Sequence, residues 1–170
     1  MEEIIEIDNC ALTELLGYFK QHLRITSNDA DADLMAKLRS ALTSVGNDIN
    51  RIMGSSVVTA TAKVSSTAGE IRLTLRGPVR GLVAIYVDDE PVDESLYSIS
   101  GNRLRIAGDY IDVIVKVVYR AGYETIPADL WDAVCLRGAG SYANPLDSIQ
   151  ERRRASDVLI RAYRFRDWIS

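Results

Sequence analysis

The chain has 170 residues, of which 47% are hydrophobic, and its 20 basic and 24 acidic side chains leave a formal net charge of -4. This length and apolar content suit one domain of ordinary size, or one domain with an insertion, and exclude disorder as the default state. The negative charge supplies no chain-wide attraction to nucleic acid, so a DNA-coating protein is not expected.

Residues 1–54 have the apolar periodicity of helices. Apolar side chains three and four positions apart predict a short amphipathic helix that ends near Arg24 and Ile25. A second helix is predicted to begin at Asn28, whose side chain would cap it, and to stop at Gly54. The first segment is therefore expected to be helical.

Residues 55–123 differ, because Val, Ile, Thr and Tyr dominate and alternation replaces the helical period. Turns are predicted at 77–78 and 89–91, and the Gly101-Asn102 pair predicts a tight hairpin. The predicted strands are 57–64, 70–75, 82–87, 96–100, 103–106 and 112–119.

Helical periodicity returns after Gly122. Pro127 suits a first helical turn, and Gly138 and Gly140 are read as small residues that permit close packing. A last helix is predicted to begin with the capping box at 148–151. The sequence thus predicts an α+β fold in a single domain: a helical body made from residues 1–54 and 124–170, with a β-rich insertion at 55–123.

Sequence features also bear on location and redox state. The longest apolar runs fall short of the roughly 20 residues that a membrane span needs, so no membrane partner is expected. The acidic N-terminus, Met1-Glu2-Glu3, is unlike a secretory signal, so the protein is expected to stay in the cytoplasm where it is made. Cys10 and Cys135 have no CxxC partner and are predicted to be buried thiols.

A possible metal site lies at the start of the second predicted helix. Asp29, Asp31 and Asp33 reproduce the first three acids of a calcium-binding EF-hand loop. The sixth position would be Leu34, where that loop needs glycine, and the twelfth would be Ser40, where it needs glutamate. We therefore interpret the aspartates as helix-start residues beside the positive end of the helix dipole, and predict no metal or cofactor.

Catalytic residues are not indicated either. His22 is the only histidine, and no serine or cysteine nucleophile is nominated to act with it. Acids at 88–90 and 93–94 could serve acid–base hydrolysis, but they flank Pro91 in a predicted loop, where acids usually solvate a turn. A hydrolase that uses these loops is kept as a less favoured alternative.

The C-terminal stretch is basic against an acidic remainder, with three consecutive arginines at 152–154. Further arginines mix with aromatic residues, which is typical of interface anchors. Two interpretations stay open: a solvated helix face, or contact with an acidic partner surface or DNA phosphates. The candidate partner-binding residues are Arg161, Tyr163, Arg164, Phe165, Arg166 and Trp168.

Two motifs occur in order along the chain. His22-Leu23-Arg24 ends the first predicted helix ahead of an acidic helix start, and Tyr-Arg-Ala-Gly-Tyr at 119–123 is followed by Ile126-Pro127. Together they resemble the phage head-tail connector family, adaptor or head-completion proteins of long-tailed phages. The resemblance spans most of the chain.

The resemblance implies a structural virion protein without catalytic activity. Such a protein forms a ring, commonly a dodecamer, beneath the portal and also meets a tail or stopper protein, while the genome passes through the channel without specific binding. Host cytoplasm during assembly and the virion afterwards are the implied locations. A stopper or tail-completion protein of the same particle is the main alternative. The net negative charge would suit a conduit in which DNA slides without sticking.

Overall fold

The computed structural model describes residues 1–66, 69–143 and 149–164. It combines helices with antiparallel sheets, so the predicted α+β class is confirmed. The chain divides into two compact units: a β unit formed by Met1–Ile7 and Ser55–Gly122, and a helical unit formed by Asp8–Gly54 and Tyr123–Ser170. It stays a prediction that the whole chain forms one domain of the connector type.

The β unit contains two antiparallel sheets. In chain order its strands are β1 (Glu2–Ile7), β2 (Ser56–Ser66), β3 (Glu70–Thr74), β4 (Val79–Val87), β5 (Glu90–Pro91), β6 (Tyr97–Ser100), β7 (Arg103–Ala107) and β8 (Tyr110–Ala121). The larger sheet has the order β1-β2-β8-β4-β5, and the smaller has the order β3-β7-β6. Strand β1 therefore lies at an edge of the larger sheet.

Alternating burial explains why these segments form sheets. Along β8 the side chains of Val115, Val117 and Tyr119 are buried, whereas their neighbours in sequence are partly or fully exposed. The Tyr119 hydroxyl donates a hydrogen bond to the Arg76 carbonyl at 3.3 Å, and burial raises the pKa of this phenol to about 12. The core of the β unit also takes Val58, Ala60, Ile71, Leu75, Ile85, Leu104 and Ile106.

The hairpin predicted at Gly101-Asn102 is confirmed. Ser100 pairs with Arg103 across it, and Gly101 has a φ of 59°, a left-handed conformation that glycine adopts without steric cost. The turn predicted at 89–91 is displaced, because Asp88 and Asp89 take the positive φ angles. Residues Glu90–Pro91 instead form the short strand β5.

The helical unit contains α1 (Asn9–Leu23), α2 (Asp31–Asp48), α3 (Ala128–Ala143) and α4 (Ile149–Ile160), followed by a 3-10 turn at Arg161–Tyr163. A second 3-10 turn, Glu94–Leu96, belongs to the β unit. Within the described ranges, no helix has the length and apolar character needed to cross a bilayer. The buried side chains of the helical core include Leu12, Phe19, Leu34, Leu38, Leu42, Val45, Leu130, Val134 and Ile160.

Helix α2 is shorter than predicted at both ends. Asn28 does not cap it: the Asn28 Oδ1 accepts a hydrogen bond from Lys20 Nζ at 2.6 Å, and the helix begins at Asp31. The helix ends before Gly54, because Asn50 adopts a φ of 53° and the Arg51 amide donates to the Gly46 carbonyl at 2.8 Å. This is the hydrogen bond that closes a Schellman motif.

Strand β1 was not identified from the sequence and lies in the segment that was expected to be helical. Its residues pair with β2 in register, Glu2 opposite Thr61 and Ile7 opposite Ser56. The inward positions include Glu3, whose Oε2 lies 3.8 Å from Arg76 Nη1. A charged residue on the inner side of an edge strand weakens the alternation that would have signalled a strand.

Candidate functional site

The predicted partner-binding residues begin where α4 ends. Arg161 and Tyr163 lie in the 3-10 turn, with Arg161 exposed and Tyr163 half-buried, and Arg164 follows with an exposed side chain. Phe165, Arg166 and Trp168 fall outside the described residues. Two exposed arginines are thus placed together at this end of the chain.

Helix α4 has a buried side and an arginine-bearing side. Ser156 and Ile160 are fully buried. Arg154 and Val158 are exposed at positions i and i+4, which share one face of α4, and the exposed Arg161 follows three positions later at the start of the 3-10 turn. Val158 is the apolar centre of this face and is 72% exposed. We call Arg154, Val158 and Arg161 the arginine stripe.

Arg137 of α3 fixes α4 in the helical unit. Its side chain is 7% exposed, and its Nη2 lies 2.6 Å from Asp48 Oδ2 of α2 and 2.8 Å from Asp157 Oδ1 of α4. Its Nε donates to Ser156 Oγ at 2.9 Å and its Nη1 to Ser44 Oγ at 2.7 Å. One guanidinium therefore joins three helices and positions the arginine stripe.

One face of the larger sheet carries the buried side chains of β8, and the opposite face is exposed. We call this exposed face the outer face. Its apolar members include Ile4, 61% exposed, and Val57, 41% exposed. Pairing across the strands aligns three rows: Glu6, Val57 and Arg120; Ile4, Thr59, Val118 and Ala84; and Glu2, Thr61, Lys116 and Tyr86.

The β1 edge of the outer face is acidic. Glu2, Ile4 and Glu6 point to the same side of the strand, since alternate residues share a face, and all three are exposed. We call them the acidic strand face. This surface was not predicted from the sequence, because it depends on β1 and on pairing between residues more than fifty positions apart. The only local signal was the spacing of the two glutamates about Ile4.

The aspartates that resemble an EF-hand start have cationic neighbours. Asp31 Oδ1 lies 2.6 Å from Lys20 Nζ, and Asp33 Oδ1 lies 3.0 Å from Lys37 Nζ. Over the described parts of the chain, no three His, Cys, Asp or Glu side chains are placed to hold a metal ion together. His22 is exposed near the end of α1.

Two carboxylates of the acidic loops accept hydrogen bonds from within the β unit. Asp88 Oδ1 accepts from the Ile114 amide at 2.8 Å. Asp93 Oδ1 accepts from the Ser95 hydroxyl at 2.7 Å and from the Ser95 amide at 2.9 Å, and these bonds lower the pKa of Asp93. Both groups shape turns in the β unit.

The two cysteines differ in their surroundings. Both are free thiols; Cys135 is buried and Cys10 is exposed. The prediction of two buried thiols is therefore wrong for Cys10, which occupies the first turn of α1 beside its cap, Asp8. Burial raises the pKa of the Cys135 thiol to about 12.

Comparisons with known proteins give matches among solved structures alone. No protein-family model matches the sequence, and no curated protein matches it. Solved structures do match over the whole chain. A chain in the neck of an empty GTA particle, computed with C6 symmetry, superposes with a TM-score of 0.76 at 21% identity, covering 100% of this chain and 99% of that chain.

Chains from the virion of a native gene transfer agent particle and from the neck of a native GTA particle computed with C12 symmetry each give a TM-score of 0.77. Each is 21% identical to this chain, and each match covers 100% of this chain and 99% of the other. At this identity the likeness establishes the fold.

Proposed function

We propose that this chain is a structural subunit of the neck of a phage-like particle, and specifically an adaptor subunit that joins the portal to the tail. The observation that carries the proposal is the likeness to gene transfer agent chains, because it runs from end to end of both chains. Both the helical unit and the β unit therefore have counterparts in those particle proteins. The connector-like motifs in the sequence give independent support.

A homo-oligomeric ring is part of this proposal. The neck structures of gene transfer agent particles were computed with C6 and C12 symmetry, and a dodecamer of this chain would suit such an arrangement. In the proposed ring, the genome passes through a central channel without specific binding. The formal charge of -4 supports a channel wall that does not retain DNA phosphates.

The C-terminal residues are proposed to bind the portal. Arg161 and Arg164 are exposed, and Tyr163 is half-buried, so the described part of this segment offers cationic groups to an acidic partner surface. Arg166, Phe165 and Trp168 complete the proposed contact. Charged groups at such a rim speed encounter, and aromatic anchors supply buried area.

The proposal assigns no catalytic role to the chain. Its locations are the host cytoplasm during assembly and the virion afterwards. Contact with a tail or stopper protein is proposed on the side of the ring away from the portal. A stopper or tail-completion protein would have a similar structural role but different neighbours, so partner identity separates these alternatives.

A binding experiment tests the adaptor role. The chain would be co-expressed with a portal protein from the same genome, and separately with each tail-completion protein from that genome, and recovered through an affinity tag on the partner. The adaptor role predicts retention of the chain by the portal protein. Retention only by a tail protein, with none on the portal, would contradict the adaptor role and favour a stopper or tail-completion subunit.

A further inference from the structure

We propose that the arginine stripe of one subunit (Arg154, Val158 and Arg161) docks on the acidic strand face of a second copy of this chain (Glu2, Ile4 and Glu6). The two surfaces are different patches of the same molecule. Contacts of this head-to-tail type generate a ring when the rotation closes. The inference thus rests on the proposed function and names the surfaces through which neighbouring subunits of the ring would meet.

The two surfaces share one layout with opposite charge. Each has a branched apolar side chain between two charged ones: Ile4 between glutamates on β1, and Val158 between Arg154 of α4 and Arg161 of the 3-10 turn that follows. Ile4 is 61% exposed and Val158 is 72% exposed, so each offers apolar area that a partner could cover.

The spacing of the charges also matches. Glu2 and Glu6 are four positions apart on a strand, which places them roughly 13 Å apart. Arg154 and Arg161 are seven positions apart, which is roughly 10 Å along a helix. Arginine side chains are long and flexible enough to span the small difference. A helix lying along β1 would therefore bring both pairs of opposite charges together while Val158 covers Ile4.

The rest of the outer face directs the arginine stripe to the β1 edge. Lys116 and Arg120 lie on β8, two strands from β1 in the same rows as the glutamates, or roughly 10 Å inward. Arginines placed over the centre of the sheet would meet these cations. At the β1 edge they meet Glu2 and Glu6.

Disulfide trapping tests the contact directly. In a Cys10→Ser background, chains carrying Ile4→Cys and Val158→Cys would be oxidised at high protein concentration. The contact predicts a ladder of covalent dimers and larger species, because each chain bears both halves. The matched control is Ile111→Cys with Val158→Cys, since Ile111 is 77% exposed but lies outside the three rows of the outer face. Equal ladders from the two pairs, or a crosslink within one chain, would overturn the proposal.

Charge reversal provides a second measurement. Arg154→Glu should weaken self-association in sedimentation by about tenfold, because one attractive pairing with a glutamate becomes a repulsive contact. Glu2→Arg with Glu6→Arg should weaken it further, because both pairings reverse, and adding Arg154→Glu to that pair should restore part of the loss. The control is Arg153→Glu, which makes the same charge change one residue away, about 100° around the helix. Equal effects of the changes at Arg153 and Arg154 would contradict the docking.

Arg161 also begins the segment proposed to bind the portal, so the charge test uses Arg154, which lies outside that segment. Both measurements use the purified chain without portal. If portal retention fails while the Ile4–Val158 ladder forms, the adaptor role is wrong and the subunit contact stands. If the ladder fails while the portal still retains the chain, only the contact is wrong.

Discussion

At the scale of single residues, Arg137 connects three helices through charged and hydroxyl partners. A side chain so deeply buried beside Asp48 and Asp157 leaves uncompensated charge when it is removed. We expect Arg137→Ala to lower the free energy of unfolding by about 2–3 kcal/mol, less than a fully buried pair would lose because the carboxylates are partly exposed. Urea denaturation gives this value.

The matched control for Arg137 is Arg153→Ala, which removes an exposed arginine from α4. Its expected effect is within about 0.5 kcal/mol, as for ordinary surface substitutions. A loss of similar size in both variants would mean that Arg137 has no special role in holding α4.

The two cysteine thiols should also differ in their reactivity. With Cys135 buried and its pKa raised to about 12, its thiolate is scarce near pH 8, whereas Cys10 is exposed. We expect one thiol per native chain to react with an aromatic disulfide reagent, and two after denaturation. In Cys10→Ser the native protein should not react. Two rapidly reacting thiols in the native wild type would show that Cys135 is accessible.

At the scale of elements, helix α3 lacks room for an added Cβ at one glycine and has room for it at another. A Cβ added to Gly138 would lie 2.6 Å from Phe19 Cζ, in a fully buried ring. Among the described residues, a Cβ added to Gly140 would meet only Arg152, with Cδ at 3.8 Å. Both glycines are in α3, so the pair separates packing from helix propensity.

We expect Gly138→Ala to lower the free energy of unfolding by about 1–3 kcal/mol through overpacking. Gly140→Ala should raise it by up to about 1 kcal/mol, because alanine favours the helix. Thermal unfolding of the two variants measures both effects. Equal stabilisation by both alanines would show that Phe19 moves away without cost.

Element prediction from the sequence succeeded where a local rule decides the conformation. The Gly101-Asn102 hairpin and the central strands follow from turn residues and alternation within a few positions. The end of α2 was misplaced, since Asn50 can take a left-handed conformation as glycine does. Strand β1 was missed because its pairing partner, β2, is about fifty or more residues away in the sequence.

For the candidate surfaces, the sequence nominated one and missed the other, and the nominated one stays a prediction. Composition alone singled out the arginine and aromatic residues at the C-terminus, beginning at Arg161. The acidic strand face was not predictable, because its position beside Val57 and Thr59 is set by sheet register. The exposure of Val158 likewise depends on which side of α4 packs inward.

At the scale of the whole molecule, the C-terminal segment should serve docking separately from folding. We expect removal of residues 165–170 to leave the melting temperature unchanged, since Ile160, which is buried, remains. Retention by the portal protein should fall sharply, because the proposed aromatic anchors are lost. Melting and portal retention would both be measured on the same truncated chain.

The competing explanation is that these residues pack against the subunit itself. In that case the truncation lowers the melting temperature, and binding fails only through misfolding. Phe165→Ala and Trp168→Ala in the full chain provide matched single changes. A folded truncated chain that the portal retains at the wild-type level would contradict the docking role.

The most direct test of the structural role is to image the neck of assembled particles from cells that express this chain together with the other structural genes of the particle. Averaging with twelvefold symmetry should place copies of the chain in one ring, between the portal and the tail. The β unit and the helical unit should both fit the density of each subunit. Purified particles that lack the chain, or that carry it only at the distal end of the tail, would contradict the account.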